Sequence, residues 1–223
     1  MGLNISPAIC QAKIDEIFRC TYTGPGPCHG KMALGNVVEC YMDDVFIHSC
    51  DEHHAASVDW CFRRLRAHNV QIELKKTFVG RTRVAFLGHI LDTGGLHVDP
   101  AKVEAISAMP APTNVSGVRR FLGMSGYYRK FVPQYGTRTA NLTDLLQKYL
   151  KFEWPPIHQA QLEGITAALS NAPILALPRW DLSFVVRIDA SDIGMGGLLC
   201  QKIDGVRRII AAISRKWGKH EIN

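Results

Sequence analysis

Two adjacent carboxylates lie between two short runs of strand-forming residues. Residues 36–41 and 45–49 favour strands, and only Met42-Asp43-Asp44 separates them, which predicts a β-hairpin with an acidic tip. Adjacent carboxylates repel each other unless a cation neutralises them. Mg²⁺ suits such a pair, because it takes hard oxygen ligands and retains positions for water and phosphate oxygens. On these residues alone a solvated acidic turn is the favoured interpretation, and a metal site for two-metal phosphoryl transfer is the alternative.

The elements around this hairpin are predicted from periodicity and capping residues. Ser6-Pro7 starts a helix that runs to about Phe18, and Asp51 starts another that Asn69 can end. Further strands are predicted at residues 70–74, 83–91 and 96–98, with the turn Asp92-Thr93-Gly94-Gly95 before the last of them.

The second half of the chain changes from helices to strands. Helices are predicted at residues 100–110, 115–131, 137–149 and 156–170. Strands are predicted at residues 184–189, 194–201 and 206–214, with Asp204-Gly205 as a hairpin turn between the last two. This order of elements predicts an α+β fold with at least three subdomains.

Composition narrows the class of protein. The net charge of +6 and the pI near 9.0 suit a polyanionic partner such as nucleic acid. No apolar run reaches the roughly 18 residues of a membrane span, and no signal-peptide pattern is present. The seven cysteines form no C-x-x-C pair, which favours reduced thiols. We therefore expect an intracellular protein without a membrane partner.

Two groups of side chains could bind metal ions in principle. Cys20, Cys28, His29 and Cys40 are residue types that ligate zinc, but their spacing fits no common zinc finger. His53-His54 would diverge on a helix, because adjacent helical side chains do not face each other. Scattered structural cysteines and surface histidines are the favoured interpretations.

A series of short motifs runs the length of the chain. From N-terminus to C-terminus they are Gly2-Leu3, Pro7-Ala8 with Gln11, Tyr41-Met42-Asp43-Asp44, Lys76, Phe86-Leu87-Gly88-His89, Val98-Asp99-Pro100, Arg120-Phe121-Leu122-Gly123, Tyr127-Tyr128-Arg129-Lys130-Phe131, Leu142-Thr143-Asp144-Leu145-Leu146, Phe152-Glu153-Trp154, Ala172-Pro173-Ile174-Leu175, Asp189-Ala190-Ser191-Asp192 and Ser214-Arg215-Lys216. In this order they resemble part of the Pol polyprotein of gypsy-like LTR retrotransposons, a reverse transcriptase with an RNase H-like domain.

The resemblance implies an architecture. It predicts a partial polymerase palm at 1–98, a helical thumb at 99–150, a connection at 151–180 and a partial RNase H-like domain at 181–223. Residues 19–36 match the family poorly, and Ile5, Ser6 and Cys10 replace its more usual residues. The family's first metal-binding aspartate is expected upstream of Met1, and its remaining RNase H ligands beyond the last residue.

The resemblance also implies an RNA-directed DNA polymerase, a nucleotidyltransferase, and roles for particular residues. Asp43 and Asp44 would be catalytic ligands of Mg²⁺, with Mn²⁺ as an alternative ion, and Asp189 would be a catalytic metal ligand of the RNase H site. The nucleotide would be bound by Gly2, Pro7, Gln11, Tyr41, Met42 and Lys76. The primer would be held by Phe86, Leu87, Gly88 and His89.

Basic side chains could extend the nucleic-acid contact. Arg119 and Lys130 are eleven residues apart, which on one helix places them within about 20° of each other. Such a face could track phosphates. Arg63, Arg64 and Arg66 are more typical of a solubilising surface on the palm helix.

The implied partners are an RNA or DNA template–primer, deoxynucleoside triphosphates and the rest of a Pol polyprotein, in a cytoplasmic particle or the nucleus. Two other functions stay open. One is a catalytically inactive nucleic-acid-binding relic of a decayed element. The other is an unrelated metal-dependent, phosphatase-like protein that uses Asp43 and Asp44.

Overall fold

The computed structural model describes residues 6–18, 38–49, 51–148, 150–218 and 220–221. Gly2, residues 19–36 and three of the four zinc-ligand candidates lie outside these ranges. The chain forms two compact units, residues 1–82 and 83–223. None of the helices in the described ranges is both long and apolar enough to cross a membrane.

The first unit packs two helices beside a hairpin. Its elements are α1 (Ser6–Phe18), β1 (Val38–Tyr41), β2 (Asp44–Ile47), α2 (Asp51–Ala67) and a 3₁₀-helix (Leu74–Lys76). Their apolar faces meet in a small core of Ile17, Phe18, Val38, Cys61 and Leu65. This core supports the hairpin from behind, which leaves its tip exposed.

The predicted strand at residues 70–74 is wrong. Asn69 adopts a left-handed conformation, and the Val70 amide donates 2.9 Å to the Leu65 carbonyl, which ends α2 in a Schellman motif. Val70 packs on the small core, and Leu74 already belongs to the 3₁₀-helix. The β-branched residues of the segment 70–74 favour a strand, but this segment instead ends α2 and leads into the 3₁₀-helix.

The second unit contains two three-stranded antiparallel sheets with helices between them in the chain. The first sheet is β3 (Arg83–Phe86), β4 (His89–Asp92) and β5 (Gly95–Val98). The helices are α3 (Pro100–Ser107), α4 (Val115–Tyr127), a 3₁₀-helix (Arg129–Phe131), α5 (Tyr135–Arg138), α6 (Ala140–Asp144) and α7 (Pro156–Ser170). The second sheet is β6 (Phe184–Ala190), β7 (Gly194–Ile203) and β8 (Val206–Lys216).

One apolar core joins these elements, and it is formed mainly by α3, α4, α6 and α7. Its fully buried side chains include Val118, Phe121, Leu142 and Ile165. The segment after α7 ties both sheets to this core, because Leu175 pairs with Leu96 of β5 and the Ala176 amide donates 2.8 Å to Ile209 of β8. The predicted α+β class is confirmed.

Three predicted elements of this unit are wrong in extent. The strand at 83–91 is two strands, because Leu87 and Gly88 form a turn. The helix at 115–131 ends at Tyr127, and the one at 137–149 is replaced by the short helices α5 and α6. Residues 83–98, assigned to the palm by sequence, fold with the residues that follow them. The boundaries at 98, 150 and 180 remain predictions.

Candidate functional site

The acidic tip is a two-residue turn. Tyr41 pairs with Asp44, so that Met42 and Asp43 alone connect the strands, and Asp44 is the first residue of β2. Met42 adopts a left-handed φ of 54°. Both carboxylates are exposed, as are the side chains of Tyr41 and Met42. The turn thus presents its polar residues to solvent while Val38 lies buried at the far end of β1.

Gln11 of α1 holds this turn in place. Its side-chain oxygen accepts 2.7 Å from the Met42 amide, and its nitrogen donates 3.2 Å to the Cys40 carbonyl. The same nitrogen also donates 2.8 Å to Asp15. The side-chain amide of Gln11 therefore accepts from the backbone N–H that follows Tyr41 and donates to the backbone carbonyl that precedes it. Its predicted role in nucleotide binding remains a prediction.

The donor set at the tip suits a divalent metal ion only in part. Asp43 and Asp44 supply hard carboxylate oxygens, and neither forms an ion pair or hydrogen bond with another described residue. Within the described residues, no group of three or more potential ligand side chains comes together. Mg²⁺ is octahedral and is commonly held by one or two carboxylates, with water and phosphate completing its shell. Two carboxylates fit that pattern, whereas two ions need further ligands.

The other predicted nucleotide-binding residues lie in the same unit. Pro7 lies in the first turn of α1, and Lys76 is an exposed residue that ends the 3₁₀-helix. Gly2 lies outside the described residues.

The predicted primer-binding segment Phe86-Leu87-Gly88-His89 forms a second two-residue turn, in the other unit. Phe86 pairs with His89, and both Leu87 (φ 47°) and Gly88 (φ 67°) are left-handed. Such turns normally place Asn or Gly at the first position, because a larger side chain costs about 1–2 kcal/mol there. Tyr127 and Tyr128 contact this turn through their hydroxyls. The two tyrosines appeared in the sequence motifs, but no spacing rule assigned them to the turn.

His89 is buried beside that turn. Its Nδ1 lies 2.7 Å from the Leu87 carbonyl, so the proton resides on Nδ1, and its Nε2 has no hydrogen-bond partner among the described residues. The rings of Tyr127, Tyr128 and Phe131 surround it at centroid distances of 5.2–5.7 Å. Burial lowers the pKa of His89, and Lys130 adds to this effect.

The expectation that Arg119 and Lys130 share one helical face is wrong. Arg119 is exposed on α4, but Lys130 follows the end of that helix and lies in the 3₁₀-helix. The Lys130 ammonium lies 5.6 Å from the Phe131 ring centroid, and burial lowers its pKa. The eleven-residue spacing between Arg119 and Lys130 therefore crosses the end of α4, and the rotation of 100° per helical residue does not apply to it.

Asp189 lies near the end of β6, opposite Gly196 of β7. It lines an open cavity of about 400 Å³ together with Arg187 and other residues of β6 and β7, and with Pro133 and Gln134 from outside the sheet. The Gln134 side chain donates to its carboxylate at 3.4 Å. Gln134 has a left-handed φ of 56° and was not predicted to be near Asp189, because 55 residues separate them.

Comparisons with known proteins cover both ends of the chain. The family described as reverse transcriptase (RNA-dependent DNA polymerase) matches residues 1–91, and the RNase H-like domain found in reverse transcriptase matches residues 154–223. Two similar Drosophila melanogaster proteins are the retrovirus-related Pol polyproteins from transposons opus and 297, at 35% and 33% identity over the whole chain. The transposon Tf2-7 polyprotein of Schizosaccharomyces pombe is 29% identical. The chain spans only 22%, 20% and 16% of these three relatives.

Solved structures share the fold. A foamy viral protease-reverse transcriptase in complex with double-stranded DNA matches 97% of the chain and 36% of its own length, with a TM-score of 0.81 and 23% identity. Another structure of that viral protein, in complex with an RNA/DNA hybrid, matches with a TM-score of 0.76 and 22% identity, over 97% of the chain and 28% of its own length.

Proposed function

We propose that this chain, which matches reverse transcriptase and RNase H-like families at its two ends and resembles retrotransposon Pol polyproteins over its length, supplies the acidic turn of an RNA-directed DNA polymerase. The observation that carries this proposal is the exposed Tyr41–Asp44 turn, whose backbone Gln11 holds. Its substrates are a template–primer and deoxynucleoside triphosphates. The rest of a Pol polyprotein is a proposed partner, because the similar proteins are Pol polyproteins of which the chain spans 22% and 20%.

In the proposed reaction, the primer 3′-hydroxyl oxygen forms a bond to the α-phosphorus of the nucleotide. The bond from that phosphorus to the pyrophosphate oxygen breaks, and the hydroxyl proton leaves to solvent. Asp43 and Asp44 hold Mg²⁺, with Mn²⁺ as the alternative, and the ion supplies charge neutralisation for the attacking and leaving oxygens. Gln11 maintains the turn that carries both carboxylates.

The remaining roles are proposed for residues that match motif positions of the reverse transcriptase family. Lys76 approaches the triphosphate, and its exposure leaves the ammonium available for that contact. Gly2, Pro7, Tyr41 and Met42 shape the nucleotide pocket. The residues from Phe86 to His89 position the primer, while Arg119 and Lys130 contact its phosphates.

Asp189 is proposed as one metal ligand of the RNase H-like domain. One carboxylate cannot hold two ions in register with a scissile phosphate, so the 223 residues alone should not cleave RNA.

The second candidate is nucleic-acid binding without catalysis. It is favoured by the lack of a three-ligand group among the described residues, together with a net charge of +6. The two candidates differ in whether a further metal ligand completes the site beside Asp43 and Asp44.

Primer extension tests the proposal. Residues 1–223 alone should not extend a primer, whereas a polypeptide that restores the upstream segment should. In that longer polypeptide, Asp43→Asn should abolish extension with little loss of stability, because Asp43 lies at an exposed tip.

Asp204→Asn is the matched control. Asp204 is the first residue of another exposed two-residue hairpin turn, so the same chemical change falls on a second exposed turn that carries no proposed metal ligand. It should leave extension unchanged. Robust extension by residues 1–223, or full activity of Asp43→Asn, would reject the proposal.

A further inference from the structure

Two neighbouring tyrosines bind consecutive carbonyls of a single turn. The Tyr127 hydroxyl donates 2.6 Å to the Leu87 carbonyl, and the Tyr128 hydroxyl donates 2.9 Å to the Gly88 carbonyl. Forty residues separate each donor from its acceptor. These hydrogen bonds therefore fix the turn to the end of α4, in addition to the pairing of Phe86 with His89 in its own strands.

The end of α4 makes this double contact possible. Adjacent side chains on a continuous helix diverge by about 100°, so both hydroxyls could not reach one turn. Here α4 ends at Tyr127, and Tyr128 adopts φ −97° and ψ 11° outside helical geometry. The two rings then meet edge to face, with centroids 5.0 Å apart.

The turn is also packed against both rings. A Cβ added at Gly88 would lie 3.3 Å from the Tyr128 hydroxyl oxygen and 3.5 Å from a ring carbon of Tyr127. His89 fills the space behind it and donates from Nδ1 to the same Leu87 carbonyl that Tyr127 binds. Leu87 occupies a left-handed conformation that its side chain disfavours, so the turn needs external contacts to persist.

We infer that Tyr127 and Tyr128 are positioning residues, which clamp the Leu87–Gly88 turn so that it presents the primer terminus in one geometry. This inference rests on the proposed function. It assigns the tyrosines no contact with the reacting atoms. Their hydroxyls act on the primer only through the turn. We therefore expect their loss to change the position of the primer end and not the affinity for the duplex, because phosphate contacts elsewhere dominate that affinity.

Hydrogen exchange on residues 1–223 tests the clamp itself. Tyr127→Phe and Tyr128→Phe each delete one hydroxyl and keep the ring. Exchange of the amides in residues 84–91 should then be roughly two- to tenfold faster, as expected for the loss of one hydrogen bond. Unchanged exchange there would overturn the inference.

Tyr135→Phe is the matched control for general loosening. Tyr135 is in the same unit, and its hydroxyl lies 2.8 Å from that of Ser125 and donates 3.4 Å to the Leu122 carbonyl. This variant loses a comparable hydrogen bond without touching Leu87 or Gly88. If it accelerates exchange at 84–91 as much as the other two variants, the clamp is rejected.

Primer extension by the longer polypeptide tests the consequence. The double variant Tyr127→Phe/Tyr128→Phe should lower kcat roughly tenfold, because small errors in position slow bond formation, with the Kd for primer–template nearly unchanged. Faster exchange with unaltered kcat would overturn the positioning role. An unsubstituted polypeptide that never extends a primer would instead reject the proposed function, and the exchange comparison would still decide the clamp.

Discussion

His89 combines burial, a single hydrogen bond and a nitrogen without a partner. Its side chain is 5% exposed, and the described groups that face it are the rings of Tyr127, Tyr128 and Phe131 and the Lys130 ammonium. A proton added at Nε2 would place a charge in that apolar space beside another cation. Burial accordingly lowers the pKa of His89 in the folded state.

This shift predicts a pH dependence of stability. The unfolded chain protonates this histidine near pH 6.5, while the folded protein does so only at lower pH. The contribution of neutral His89 to the free energy of unfolding is therefore complete above about pH 6.5. It is lost as the pH falls through the lower pKa of the folded state. Urea unfolding at a series of pH values measures this decline.

His89→Gln should reduce the decline, because glutamine stays neutral and keeps an amide donor for the Leu87 carbonyl. His68→Gln, which changes an exposed histidine, provides the control. Equal pH dependence in His89→Gln and the unsubstituted protein would show that His89 does not cause it.

Single side chains show how far sequence reasoning reaches. The acidic turn was predicted from two flanking strand patterns, which are local signals. The contact between Gln11 and Met42 depends on α1 approaching a hairpin 31 residues away, and no periodicity encodes it. The burial of His89 has the same origin, since residues 127–131 create it.

Whole elements were predictable where both their ends carry local signals. The helices α1 and α7 and the β7–β8 hairpin with its Asp204-Gly205 turn were predicted nearly as found. Asp99 caps α3, because its side-chain carboxylate accepts a hydrogen bond from the Ala101 amide. Elements failed where tertiary contacts end them, as at Tyr128, whose hydroxyl binds the Gly88 carbonyl.

Because Lys130 lies beyond the end of α4, we expect Arg119 and Lys130 to contribute unequally to the salt dependence of nucleic-acid binding. If Z phosphates are neutralised, log K should fall with log salt at a slope of about −0.9Z. Arg119→Ala should flatten this slope by about 0.9, since Arg119 is exposed. Lys130→Ala should change it less, because Lys130 is half-buried against Phe131. Fluorescence anisotropy of a labelled primer–template across KCl concentrations measures the slope for residues 1–223.

Arg63→Ala is the control of equal charge. Arg63 is an exposed residue of α2 and pairs with Asp59 at 2.8 Å, so its removal changes net charge without a predicted phosphate contact. Binding that is insensitive to salt, or an equal effect of Arg63→Ala, would contradict a phosphate contact at Arg119.

The molecule as a whole is unevenly packed. The helical part of the second unit buries Val118 and Leu142 completely. In the second sheet, by contrast, every residue of β6 is exposed, including Val186 at 61% and Ile188 at 69%. The sheet order is β6-β7-β8, so β6 forms one edge of the described sheet.

The other edge of this sheet is anchored. The Lys216 ammonium of β8 pairs with both carboxylate oxygens of Asp144 at 2.7 and 2.8 Å, and the Gly136 amide donates 2.7 Å to the Ser214 hydroxyl. The two edges of this sheet are therefore held differently. Helices α5 and α6 hold β8, whereas β6 has only β7 as its neighbour in the sheet.

Local stability should follow this gradient. We expect amides of residues 184–190 to exchange faster than those of α4, with β8 intermediate, because opening β6 exposes little additional apolar surface.

Val186→Lys should reduce self-association at this edge without lowering the free energy of unfolding, since Val186 is already exposed. Val118→Lys, at a fully buried position, should instead unfold the second unit. Protection of β6 equal to that of α4 would contradict this gradient, and RNA cleavage by residues 1–223 that Asp189→Asn abolishes would show that the sheet already carries a complete site.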